Sequence, residues 1–342
     1  MSPKLDYTRV LHLGDPAHTA TFLTSAANAS GRNWRVLQLA KSPAVANPTA
    51  RAVLRAMKGL SWEACLFVGK TLRSRIHLHQ AMALPHAGWA LGDYMLHLHG
   101  TEIRSRRYET RYEKRLYDAV AGAHHVFYST PDLREHIVDW RPEAQLIPVP
   151  VALDSAQVAN PYRSIGSPAG SYVFFTSRWE AVKGGETQIA AARALRARLP
   201  QSVALVGLDW GDEPLREAAR EAGVHLIPKQ PGAAYRQVVR EAKACVGQTA
   251  GILSASELES LVENVPLVVP LNPNWYDGSH PSLRDMPVLG GTTLDPADSE
   301  GIANLTLEAI ETKPATRDWV KRFHSPTAAL EGVLDGYRAT DW

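Results

Sequence analysis

Short apolar runs alternate with longer stretches of helical periodicity along the whole chain, and this alternation limits the fold more than any other feature. Runs this short are not globular helices, and runs this apolar have no side to turn to water. They read as strands of parallel sheets whose two faces are covered by the intervening helices. In the first half the expected strands are Val10–Leu13, Trp34–Leu39, Arg75–His79, Tyr94–His99, His125–Ser129 and Leu146–Val149. The fifth runs into Thr130-Pro131, an N-cap followed by proline at a first helical position, with Leu133, Ile137 and Trp140 as the apolar stripe of the helix so begun. Between Ala152 and Ser171 the periodicity lapses into Pro, Gly, Ser and Asn, the composition of a linker. The alternation then restarts with strands at Tyr172–Thr176, Ser202–Gly207, His225–Pro228, Ala244–Gln248 and Leu267–Pro270. Helices are expected at 185–199, 213–222, 233–243 and 256–264, the second closed by Gly223 as its C′ residue. Two successive α/β domains of similar size follow, with a cleft between them.

Bulk composition narrows the function classes. A chain of 342 residues, 45% hydrophobic and 21% charged, has material for two cores and none of the signature of disorder. Its 37 basic and 35 acidic side chains nearly cancel, so no global field draws it to nucleic acid or anionic lipid, although a local patch remains open. Cys65 and Cys245 are far apart in apolar surroundings and read as buried thiols of a reducing compartment. No run approaches the ~18 apolar residues of a membrane helix, and the apolar run before Gly14 is too short for a signal-peptide core. The expected location is cytoplasmic.

The segment with the clearest chemistry is "FFTSRWEAVKGG", Phe174 to Gly185. It places Arg178 and Lys183 at a strand-to-helix turn, where backbone N–H groups are also unpaired, and that combination suits an anion. A solvated charged loop is the competing reading. Rival motifs fail one by one. "VGKT" (Val68–Thr71) lacks the glycine that a phosphate loop needs at position 64, and neither Gly-x-Gly-x-x-Gly after a strand nor Gly-x-Ser-x-Gly occurs. His77-x-His79 and His97-x-His99 would each point to one sheet face, as some metal ligands do, but no carboxylate follows at metal-site spacing, so no metal site is expected. His99, which ends a strand just before Gly100, is the histidine best placed for a site; His77 and His79 fit a core. "RSRRYETRYEKR" (Arg104–Arg115) reads either as an amphipathic helix burying Tyr108, Tyr112, Leu116 and Val120 or as an acceptor-side basic surface.

Taken in order, several segments resemble the GT-B fold retaining glycosyltransferases of the family 4 group (glycosyl transferases group 1), and the likeness spans most of the chain. "HLHGTEIR" (His97–Arg104) is similar to that group's His-Gly segment with its following acid and arginine. "VFYSTPDL" and "LIPVPVALD" resemble the last strand-helix unit of its first domain and the exit into the linker, and "FFTSRWEAVKGG" resembles the opening of its donor domain. "ELESLVENVPLVVP" resembles the segment in which the family sets a glutamate seven residues before a proline, an interval kept by Glu259 and Pro266. The resemblance implies two Rossmann-like α/β/α domains facing a central cleft: 1–155 for the acceptor, a linker at 156–170, 171–315 for the nucleotide sugar, and C-terminal helices at 316–342 that cross back to the first domain. It implies that Arg178 and Lys183 neutralise a diphosphate and that Glu259 bonds the donor ribose, although Ser256-x-x-Glu259 is also a capping box that would fix a helix start.

The chain departs from the family in two places. Where a second glutamate is common it has Gly251, so the backbone of Gly251, Ile252 and Leu253 is expected to line the donor pocket instead. The first turn carries only Gly14-Asp15-Pro16 in place of a glycine-rich loop. The expected activity is transfer of a sugar from a UDP or GDP sugar to an acceptor hydroxyl with retention, with no cofactor or metal required and with catalytic roles for His99, Arg178 and Lys183. Gly14, Glu102 and Arg104 join the binding set from the first domain. Glycan, lipid, protein and modified DNA all remain open as acceptor. Two other classes stay alive: a DNA-modifying glycosyltransferase acting on a hydroxylated base, and a catalytically inactive nucleotide-sugar binder.

Overall fold

The structure, a computed structural model, describes residues 7–38, 47–71, 75–81, 93–164 and 170–342. Contacts divide the chain into two compact units, one made of Met1–Pro150 with Pro326–Trp342 and the other of Val151–Ser325.

The first unit holds a parallel sheet of β1 (Val10–Leu13), β2 (Arg35–Leu37), β3 (Arg75–Leu78), β4 (Tyr94–Leu98), β5 (His125–Tyr128) and β6 (Gln145–Leu146), in the order β2-β1-β3-β4-β5-β6. β4 and β5 are buried at every position, which is why their sequences show no polar alternation. One face packs its Val10, Met95 and Phe127 against Leu23 and Ala27 of the helix Thr19–Ala29 and against Leu330, Val333 and Tyr337 of the helix Pro326–Ala339. Each such aliphatic side chain contributes about 1.5–3 kcal/mol by leaving water.

The second unit repeats the plan with β7 (Ser171–Phe175), β8 (Val203–Leu208), β9 (Val224–Ile227), β10 (Ala244–Val246), β11 (Leu267–Pro270) and β12 (Leu289–Gly291), all parallel, in the order β12-β11-β10-β7-β8-β9. Val173, Phe175, Leu205, Val246 and Val268 meet Ile189 and Leu195 of the helix Gly185–Arg198 and Ile302 of the helix Ser299–Ala309. On the other face Phe174 packs edge-on against Tyr235 of the helix Gly232–Arg240.

Differences from the expected elements have local causes. β12 went unanticipated because its Leu-Gly-Gly sequence carries no strand pattern. The segment after Thr130 is a 3-10 run, Pro131–His136, rather than an α-helix: Leu133 N–H bonds back three residues to Thr130, and Thr130 makes no side-chain cap. Within 152–164, read as linker from composition, Tyr162 is fully buried and Asn160 donates to the Tyr172 hydroxyl at 2.9 Å. Leu39 and 165–169 lie outside the described residues. No helix among the described residues is long and apolar enough to cross a membrane.

Candidate active site

In the second unit the chain order places β8 on one side of β7 and β10 on the other. Connections leaving the C-terminal ends of β7 and β10 therefore diverge to opposite faces and open a crevice, the position where doubly wound sheets bind ligands. Arg178 and Lys183 lie in the first of these connections, and Gln248 to Leu253 in the second.

The turn after β7 is held tightly. A 3-10 turn, Ala181–Lys183, ends at Gly184 in the left-handed region (φ 68°), and the helix Gly185–Arg198 starts there. A Cβ at Gly184 would fall on Thr249 Oγ1, whose hydroxyl donates to the Gly184 carbonyl at 3.0 Å. The Lys183 carbonyl accepts from Thr249 N–H (3.1 Å) and from the Gln188 amide (2.7 Å). With the backbone fixed, Lys183 Nζ donates to Gln248 Oε1 at 2.9 Å. Arg178 pairs with Glu180 at 3.0 Å and lies 5.1 Å over the Trp210 ring, which also carries Lys229 Nζ at 3.7 Å. Arg178 and Lys229 thus share the Trp210 ring beyond β8, while Lys183 is held by Gln248 beyond β10.

Sequence reasoning missed the carboxylate that organises this site. Glu257 is completely buried and accepts from the Thr176 hydroxyl (3.2 Å), Gln248 N–H (3.2 Å), Ser254 N–H (3.1 Å) and the Ser256 hydroxyl (3.0 Å). Through Gln248 it holds Lys183. The capping box of the helix Ala255–Val262 is formed by Ser254 and Glu257, not by Ser256 and Glu259. The overlapping sequence "SASELES" satisfies the Ser-x-x-Glu spacing twice, and the strand-end donors select the earlier pair. Glu259 is thereby released from capping. It is half-buried, its carboxylate makes no hydrogen bond among the described residues, and burial first, with the nearby carboxylates of Glu263 and Glu257 adding to it against Arg236, lifts its pKa to about 7.

Gly251 has φ +79°, its carbonyl accepts from Asn272 N–H at 3.0 Å, and a Cβ there would press on Asn272 and Trp275. A glutamate does not fit this backbone, which accounts for the departure noted at that position. Leu253 N–H is taken by the Tyr276 hydroxyl at 2.7 Å, and Gly251 is paired in a parallel bridge with Leu271, so these two of the expected backbone donors are already engaged.

In the first unit the expected site residues lie near the C-terminal ends of β1, β3 and β4 but are largely engaged. Gly14 (φ 82°) donates to the Leu37 carbonyl, and Asp15 closes the start of the next helix by accepting from Thr21 N–H (3.1 Å) and the Thr21 hydroxyl (2.6 Å), where an incoming anion would have to sit. Glu102 accepts from Ala81 N–H at 2.9 Å. Arg104 is locked to the buried Asp132 at 2.6 Å. His99 has both ring nitrogens occupied, Nε2 by His79 (2.9 Å) and Nδ1 by the Ser129 hydroxyl (2.6 Å), and burial lowers its pKa to about 3. These contacts suit a fixed surface better than proton transfer. In the basic stretch Leu116 and Val120 are buried as expected, whereas Tyr108 is exposed and bonded to His136. Arg107, Arg111 and Lys114 are paired with Asp139, Glu109 and Asp118.

No protein-family model and no curated protein sequence matches the chain. Solved structures do match over nearly its whole length. A UDP-forming α,α-trehalose-phosphate synthase from Burkholderia xenovorans superposes with a TM-score of 0.69 at 13% identity, covering 98% of this chain and 99% of that one. HepE from Anabaena in complex with UDP-glucose gives 0.68 at 14%, covering 97% and 99%. A glycosyltransferase from Rickettsia africae gives 0.65 at 12%, covering 98% and 99%. Two parallel sheets in this order, matched to these proteins across both units, make the fold of this chain that of the GT-B glycosyltransferases.

Proposed function

We propose that the chain is a glycosyltransferase that takes a sugar from a nucleoside diphosphate, with UDP or GDP as carrier, and transfers it to an acceptor hydroxyl with retention at the anomeric carbon. The observation that carries this reading is the Glu257–Gln248–Lys183 chain, which holds a cation at the switch point of the second sheet with Arg178 in the same turn. As the bond from anomeric carbon to phosphate oxygen lengthens, negative charge collects on the leaving diphosphate. A lysine already fixed in place and an arginine meet that charge with little reorganisation, and the N-terminus of the helix Gly185–Arg198 adds its dipole. These groups supply the charge that a metal would otherwise supply, so no resident metal is required. Glu259, unpaired and half-buried, accepts from the ribose hydroxyls. The resemblance of the donor-domain segments supports retention, and the superposed HepE, solved with UDP-glucose, supports a nucleotide-sugar donor.

No observation favours the DNA-modifying reading: Arg104, Arg107, Arg111 and Lys114 are neutralised by acids of their own unit rather than displayed for phosphates. The inactive-binder reading rested on the missing glutamate, and the backbone at Gly251 shows a loop built around glycine. Binding and turnover of UDP and GDP sugars test the proposal, with the anomeric configuration of the product read by proton NMR in the same assay. An inverted product contradicts retention.

A further inference from the structure

Five histidines line one face of the first sheet: His12 on β1, His77 and His79 at β3, and His97 and His99 at β4, all buried except the half-buried His99. His12, His77 and His79 bring nitrogens within 4.8 Å of one another, as do His79, His97 and His99, which invites a metal. The ring orientations say otherwise. His12 and His79 have centroids 5.2 Å apart and Nδ1 to Nε2 at 2.9 Å; His79 and His99 repeat both values. In each pair the centroid separation exceeds the nitrogen separation by only the two ring radii, so the rings point at each other end-on. Ligands of one ion converge on a third point instead. An end-on pair at this distance is an N–H···N hydrogen bond, and a lone pair that accepts a proton is not free for a metal.

The chain of bonds has a fixed direction. Its last member, the Leu98 carbonyl, only accepts, and Ser129 Oγ lies 3.1 Å from it. That carbonyl takes Ser129 N–H at 3.2 Å and the Ser129 hydroxyl proton on its second lone pair, and Ser129 Oγ accepts from His99 Nδ1–H at 2.6 Å, because the reverse direction would leave a buried N–H at His12 Nε2 unpaired among the described residues. His99 Nε2 then accepts from His79 Nδ1–H, and His79 Nε2 from His12 Nδ1–H. The series stops at His12 Nε2, a buried nitrogen without a partner among the described residues. Burial keeps both ends neutral, with the pKa of His12 and of His99 lowered to about 3.

We propose that Ser129 is a positioning residue that sets His12, His79 and His99 as one tautomeric unit, each in its Nδ1–H form, and so fixes the His99 ring at the end of β4 with both nitrogens occupied. A free histidine side chain prefers the Nε2–H form, so three successive Nδ1–H rings are a state the fold imposes through the hydrogen bond each ring makes. The consequence for chemistry rests on the proposed glycosyl transfer: there His99 offers an acceptor a rigid ring edge, not a proton. The tautomers stand independently of that reading.

The test is a long-range proton–nitrogen correlation spectrum of the ligand-free protein labelled at its histidine rings, with resonances assigned by single histidine replacements. Nδ1–H forms are expected at all three positions between about pH 6 and 8. Ser129→Ala removes the anchor, and His12 and His79, which Ser129 does not touch, are expected to change to Nε2–H together with His99; Ser129→Thr keeps the wild-type pattern. An Nε2–H form at any of the three in the wild type, a change confined to His99 in Ser129→Ala, or uptake of one equivalent of zinc by the three rings overturns the proposal. Should Ser129→Ala not fold, the wild-type spectrum decides alone. Donor binding takes no part in this experiment, so failure of the enzymatic reading leaves the result distinct.

Discussion

Glu259 carries the most specific expectation at the scale of single residues. Its carboxyl titrates at about 7 in the folded chain against an ordinary 4.5. The folded form binds its proton more tightly than the unfolded form, so the linked stability is present at acid pH and is lost as pH rises from 4.5 to about 7. Donor binding has the opposite sign, because the ionised carboxylate is the stronger acceptor for ribose hydroxyls. Affinity for an intact nucleotide sugar, whose diphosphate does not titrate in this range, is expected to fall by up to about tenfold per pH unit below the pKa. Calorimetric titration from acid to neutral pH checks this, and Glu259→Gln is expected to bind more weakly and without the pH dependence. The strand-to-helix turn that carries Arg178 and Lys183 was legible in the sequence, where a solvated charged loop was the competing reading of its two cations. Glu257 was not, because its value comes from Gln248 and Thr176, which reach it only when β7 and β10 lie side by side.

Among elements, the turn from β7 into the helix Gly185–Arg198 is the one most dependent on its sequence. Gly184→Ala forces a side chain into the left-handed region and onto the Thr249 hydroxyl at once. A loss of about 1–3 kcal/mol is expected, read as a lowered urea midpoint with unchanged slope, and weaker donor binding follows because the same turn carries Lys183. The strands were legible because buried parallel strands are written as unbroken apolar runs. Their ends and the short pieces were not. β12 consists of Leu-Gly-Gly, and the turn after Thr130 shares its opening signature with a true helix. The helix start at Ala255 shows why: two capping boxes fit the local sequence, and only the sheet decides between them.

For the whole molecule, periodicity marked two α/β halves, and only the family resemblance implied that C-terminal helices cross back to the first. Leu330, Val333, Leu334 and Tyr337 belong to the core of the first unit, hundreds of positions from Val10 and Leu23. No local pattern encodes such a partnership. Removing 326–342 is therefore expected to unfold the first unit while Val151–Ser325 keeps its sheet, seen as selective proteolysis within the first 150 residues. Intact second-unit fragments and first-unit fragments of equal resistance would contradict this assignment.

The central claim is that the switch point of the second sheet holds the diphosphate of a nucleotide sugar. Its most direct test is equilibrium binding of a panel of UDP and GDP sugars to the full chain, wild type against Arg178→Ala and Lys183→Ala. Saturable binding of one donor, weakened about 10–100-fold in each variant while the fold is retained, is the predicted result, since each lost charged hydrogen bond is worth about 1.5–3 kcal/mol. A folded wild-type protein that binds none of the donors, or binds one equally well without either cation, would contradict it.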